Sequence, residues 1–164
     1  MTTAVTAYDI SLTLHIVAAI IGFGAGFAQA ITIPVALGMD ARHLPYVHRL
    51  HVALNSWLAS PALAIVVATG FYQVADGDWD LGDAWLSATL AIVIVIGGLT
   101  GAYFIPADRR LAAMAERELA AAGGGEVQLS AEYQRGARNT GVVGALTGVL
   151  VIAAVYLMVT KPGL

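Results

Sequence analysis

Residues 14–30, "LHIVAAIIGFGAGFAQA", are apolar apart from His15 and Gln29, and the apolar run that holds them extends from about Ile10 to Leu37. About 20 such residues in a helix cross the hydrocarbon of a bilayer. The stretch therefore reads as a membrane-spanning helix. Two features mark it. An ionisable side chain, His15, sits near its start, and small residues recur at every fourth position: Ala18, Gly22, Gly26 and Ala30. Positions 15, 18, 22, 26 and 29 share one side of a helix. A face of that kind either packs closely on another helix or makes room for something flat and bulky.

The rest of the chain carries the same signature. Of 164 residues, 59 % are hydrophobic and 12 % charged, and the mean hydropathy is +0.77. Soluble domains carry about 25 % charge, and a chain this short needs more polar surface to stay in water. Four runs are long enough to span: about 10–37, 45–75, 84–105 and 140–160. The fold class is all-α, a polytopic four-helix transmembrane bundle forming one domain over 1–164. Pro45 suits the first turn of the second helix. Pro61, in its middle, should kink it or free a carbonyl. The segment 106–139 reads as a cytoplasmic helical loop: "DRRLAAMAERELAAAGGG" extends the third helix to Gly123–Gly125, and Ser130 caps the fourth, with Glu132 in its first turn.

Charge orients the bundle. Arg42 and Arg49 lie between helices one and two; Arg109, Arg110, Arg117, Arg135 and Arg138 lie between three and four. The opposite side holds Asp76, Asp78, Asp80, Asp83 and the lone Lys161. The positive-inside rule then places the N-terminus and the C-terminus outside, in the bacterial cytoplasmic (inner) membrane. The first apolar run has no basic residue before it, unlike a secretory signal, so it reads as a retained helix. The net charge of −3 excludes a nucleic-acid partner. The absence of cysteine excludes thiolate metal sites and cysteine nucleophiles. No phosphate-binding glycine loop fits, because the glycines lie within apolar helices. The core of the spans holds no charged groups of the kind an ion channel needs, and Met39, Met114 and Met158 are too scattered for a copper relay.

Two histidine regions carry candidate chemistry. Intramembrane ionisable residues are costly and face a bundle interior or an aqueous site, and a neutral imidazole is a common axial ligand of haem iron. His15, with the smooth surface at Gly22 and Gly26 beside it, suits one face of haem b. The competing reading of His15 is a hydrogen bond to a neighbouring helix. A ligand site at His15 needs a partner from the same leaflet: Tyr72, Gln73, Tyr156, Met158 or water, with Met158 a soft ligand. The second region is "HLPYVHRLHVALNS", where His48, His51 and Asn55 follow i, i+3, i+7 spacing. Two histidines one turn apart can bind zinc or copper, although a solvated or headgroup-facing surface gives the same spacing. At about 1.5 Å per residue, His15 and His51 lie roughly 28 Å apart along the membrane normal and cannot share one ion. The same arithmetic puts Gln29 and Asn55 at one depth, which predicts an amide clasp between helices one and two.

The motifs "LH…GFGAG", "GDW…WL", "PADRRLAAMAE", "LSAEYQR" and "LMVTKP", in that order, resemble those of a family of small bacterial predicted integral membrane proteins of unknown function. The layout is more distantly similar to HemJ-type protoporphyrinogen oxidases. Their first-helix histidine matches His15, and further matches fall on Pro34, on Arg49 and Leu50, on Pro61 and Gly70, and on Trp85 and Leu86. Leu12 and Thr13 stand where those enzymes carry a lysine, and Val47 and His48 where they carry an acid. The resemblance therefore implies a haem pocket rather than the oxidase activity. CopD-like copper-resistance proteins are similar in carrying histidine within a membrane helix. Three functions follow as expectations: haem b binding for redox or haem-handling work, an accessory subunit contacting a membrane-protein partner or a homo-oligomer, and a metal or small-solute transporter.

Overall fold

The computed structural model describes residues 4–77 and 79–163, so Asp78 of the acidic connection lies outside it. Four long helices account for most of these residues: α1 (Ala7–Met39), α2 (Ala41–Asp76), α3 (Ala84–Ala121) and α4 (Ala131–Thr160). All four are long and apolar enough to cross a membrane. Helices suit that environment because every backbone hydrogen bond is satisfied within the segment.

Local chemistry sets the ends. Thr6 caps α1 in a reciprocal box with Asp9: the Asp9 amide donates to Thr6 Oγ1 at 3.2 Å, and the Thr6 amide to the Asp9 carboxylate at 2.9 Å. Asp40 ends α1 and accepts from the Arg42 amide at 2.8 Å, opening α2 through a short 3₁₀ turn. The α3 helix stops before Gly123 and Gly124, whose φ angles are positive. Ser130 caps α4, accepting from the Tyr133 amide at 3.1 Å.

Two helices are interrupted in the same way. Residues Asn55–Ala59 of α2 and Leu99–Phe104 of α3 are π turns, and each is followed within two residues by a proline, Pro61 and Pro106. The Ser60 and Ile105 amides reach back five residues, to the carbonyls of Asn55 and Thr100. A proline supplies no amide to the turn before it. The wider turn re-pairs the neighbouring groups, so at Pro61 the helix answers with a π turn.

Packing changes partner along the bundle. The Ser60–Asp76 half of α2 lies along α1, its Leu44–Leu54 half along the Ile105–Ala121 half of α3, and the Ala84–Gly98 half of α3 along α4. At the arginine-bearing end a cluster of Ala36, Leu44, Val47, Leu111, Met114, Ala115 and Tyr133 joins all four helices. Arg42 ties the two loops there by donating to the Gly124 carbonyl at 2.8 Å. At the other end Lys161 Nζ lies 3.8 Å over the Trp79 ring. Large apolar side chains such as Ile20, Ile31, Val149 and Val159 point outward, as a lipid-facing surface requires.

Candidate functional site

The glycines of α1 and α4 do not all serve the same end. A Cβ added at Gly22 would meet Ala62 Cβ at 3.0 Å, and one at Gly136 would meet Leu111 Cδ2 at 2.9 Å. These positions let helices touch. A Cβ at Gly26, Gly141 or Gly144 would meet nothing within 4 Å. Those three residues line a cavity of about 630 Å³ between the four helices. Ligand pockets occupy roughly 300–1,000 Å³ and are apolar with a few placed polar groups. Here Phe23, Phe27, Ile33, Leu63, Ile96 and Ile152 supply apolar wall. The threonine hydroxyls on it, Thr100, Thr140 and Thr147, donate to carbonyls of their own helices, at 2.9, 3.0 and 2.8 Å.

The buried polar side chains of the cavity gather toward the arginine-bearing end. Gln29 of α1 and Asn55 of α2 form the amide clasp: Gln29 Nε2 donates to Asn55 Oδ1 at 3.3 Å, and Asn55 Nδ2 to Gln29 Oε1 at 3.2 Å. One turn further along α2, His51 Nε2 meets Thr32 Oγ1 of α1. His51 Nδ1 faces Asp108 Oδ1 of α3 at 3.5 Å. His48 Nδ1 meets the same oxygen at 2.7 Å, and its Nε2 meets the Tyr133 hydroxyl of α4 at 2.8 Å. His48, Asp108 and Tyr133 are each about 98 % buried or more, and His51 is 6 % exposed. The result is one polar chain, Tyr133–His48–Asp108–His51–Thr32, with a member from every helix. His48, His51 and Asp108 also line the cavity and so form its floor.

Residues 10–162, which include every member of this chain and all four spans, match the family model described as predicted integral membrane protein (DUF2269). The chain belongs to the DUF2269 family. No curated protein and no solved structure matches it.

In this DUF2269 protein the residues singled out from sequence fall in two places. Gly22 and Gly26 line the cavity with His48 and His51, whereas His15 and Met158 do not. His15 lies at the opposite end of α1, with its Nδ1 2.9 Å from Thr69 Oγ1 of α2 and its ring against Gly70. The hydrogen bond from His15 to a neighbouring helix is thus present, with Thr69 as its partner. Thr69 Oγ1 donates its own proton to the Ile65 carbonyl at 2.6 Å, so His15 Nδ1 is the donor to Thr69. Three members of the polar chain, Thr32, Asp108 and Tyr133, escape the sequence reading. Asp108 stands in the charged "PADRR" segment, but it shares a helical stripe with Leu111, Ala112 and Ala115, all buried. A carboxylate on the apolar stripe of an amphipathic helix is the signal for it.

Proposed function

We propose that this protein binds, within the bilayer, a lipid-soluble molecule with an apolar body and a polar end. The cavity carries the reading: it is about 630 Å³, walled partly by residues without side chains, and its amides, histidines and carboxylate gather at one end. An apolar space of that size left without contents would forfeit the dispersion contacts of its lining. The arginine-bearing loops support a cytoplasmic position for the cavity floor, with both termini outside the bacterial inner membrane.

The test is to purify the full chain in mild detergent and identify co-purifying small molecules by native mass spectrometry. Gly26→Phe and Gly144→Phe place rings where a Cβ meets no atom, so both variants should fold and lose the bound molecule. Wild type and both variants retaining the same molecules in equal amounts would overturn the reading.

A second reading, haem b held by His15, is favoured by one observation. Thr69 engages Nδ1 of His15, and Nε2, the usual iron ligand, has no partner among the described residues. A Soret band lost in His15→Ala supports it. A colourless protein after expression with added haem refutes it.

A further inference from the structure

The floor of the cavity poses a proton-counting problem. Thr32 Oγ1 donates to the Gln29 carbonyl at 2.8 Å, so its hydroxyl proton is already engaged. It can meet His51 Nε2 only as an acceptor, which puts a proton on Nε2. In a neutral His51 ring the other nitrogen, Nδ1, then presents a lone pair. That lone pair faces Asp108 Oδ1 at 3.5 Å, one acceptor against another. His48 brings a second Nδ1 to the same oxygen at 2.7 Å, and its Nε2 meets the Tyr133 hydroxyl, which accepts from it when Nδ1 carries no proton. One ligand atom from each of His48, His51 and Asp108 lies within 4.8 Å of the other two. All three residues are at least nine-tenths buried. Two imidazole nitrogens and a carboxylate oxygen that converge away from water call for a cation between them.

We propose that His48 Nδ1, His51 Nδ1 and Asp108 Oδ1 bind one divalent first-row transition-metal ion at the cavity floor. Imidazole nitrogens suit zinc, iron, cobalt, nickel and copper, whereas magnesium and calcium want oxygen shells that a single carboxylate does not supply. Thr32 and Tyr133 are the outer partners that hold each ring with its Nε2 proton turned away from the ion, the usual arrangement around metal-bound histidine. Three protein ligands leave a coordination position open. Here that position faces the cavity, because all three ligands line it. The ion would meet the polar end of whatever the cavity holds. The site itself goes beyond the lipid-ligand reading and stands without it.

The test uses the metal alone. The full chain, purified with a histidine-free tag and stripped with EDTA, is titrated with Co(II), and the visible d–d absorption is followed. The expected result is one Co(II) per chain, displaced by Zn(II), with the band lost in Asp108→Asn and in His51→Ala. His43→Ala, on the exposed surface, leaves binding unchanged. Tyr133→Phe and Thr32→Val keep all three ligands and weaken affinity about 10–100-fold, as removal of an outer partner does. No Co(II) bound by wild type would overturn the proposal and leave a proton as the cation between His51 and Asp108. Binding of equal strength in Asp108→Asn would overturn it too. If Asp108→Asn and His51→Ala fail to fold, unaltered affinity in both Tyr133→Phe and Thr32→Val overturns it.

Discussion

The amide clasp between α1 and α2 yields a prediction with an internal asymmetry. Gln29 and Asn55 exchange two hydrogen bonds, at 3.2 and 3.3 Å, and Gln29 Nε2 also reaches the Ala25 carbonyl at 3.2 Å. Asn55 is buried and its side chain has no other partner among the described residues. Gln29→Leu therefore strands both ends of a buried amide and should cost about 1–3 kcal/mol. Asn55→Leu strands only Gln29 Oε1, because the Gln29 amide keeps Ala25, and should cost less. Replacing both removes the need as well as the bond and should lie close to wild type. Interhelical hydrogen bonds in membranes average about 0.6 kcal/mol, so two of them give a coupling of about 1.2 kcal/mol. That is about an eightfold change in the unfolding equilibrium. The assay is reversible unfolding in mixed micelles with rising SDS, followed by tryptophan emission, for wild type, both single variants and the double variant. Single-variant costs that simply add in the double variant would refute the clasp. A larger cost for Asn55→Leu than for Gln29→Leu would refute the assignment of its spare bond.

Other outcomes follow from the same contacts. Gly22→Leu drives a side chain into Ala62 and should destabilise by about 1–3 kcal/mol, whereas Gly141→Ala, facing open space, should be neutral or gain up to about 1 kcal/mol of helix propensity; the same SDS titration reads both. Arg49 and Glu116 form an exposed pair, so Arg49→Ala should cost less than about 1 kcal/mol and lose even that effect in high salt. Lys161 holds a left-handed backbone at φ 42° while lying over Trp79. Both Lys161→Ala and Lys161→Gly remove the cation–π contact, but only glycine relieves the backbone, so the glycine variant should be the more stable of the two, by about 1 kcal/mol on the same titration.

Much of this fold is legible in the sequence because bilayer thickness imposes a length and a composition on each span. The Ser130 cap is legible too, since a hydroxyl before an apolar helix has few other uses. The Gln29–Asn55 clasp follows from counting residues inward from the helix centres, because rise per residue is nearly constant. The floor of the cavity is harder to see. His48 and His51 announce themselves by spacing, but the group that joins them comes from a segment whose arginines point to solvent. Asp108 is identified only by the stripe it shares with Leu111 and Ala115. Tyr133 lies three residues inside the cap of α4, where a tyrosine has no distinctive pattern. At His15 the partner is Thr69, one of several threonines in the spans, and most of those bond only to their own helix. The π turns are invisible in composition. Pro61 marks where α2 must adjust, not that it adjusts by taking in one more residue.

That extra residue gives the bundle a genetic handle. A π turn is an α-helix carrying a one-residue insertion. Deleting one residue from Asn55–Ala59 would restore a regular helix, and would turn everything before it by about 100° relative to everything after it. The Ser60–Asp76 half of α2, keyed to α1 through Ala62, would keep its place. His48 and His51 would swing away from Asp108 and leave the floor. A single-codon deletion should therefore spare membrane insertion and abolish the polar chain, whereas a substitution at the same positions should not. Within a lineage of such proteins, loss of the site and loss of one residue before the proline would arise as the same event.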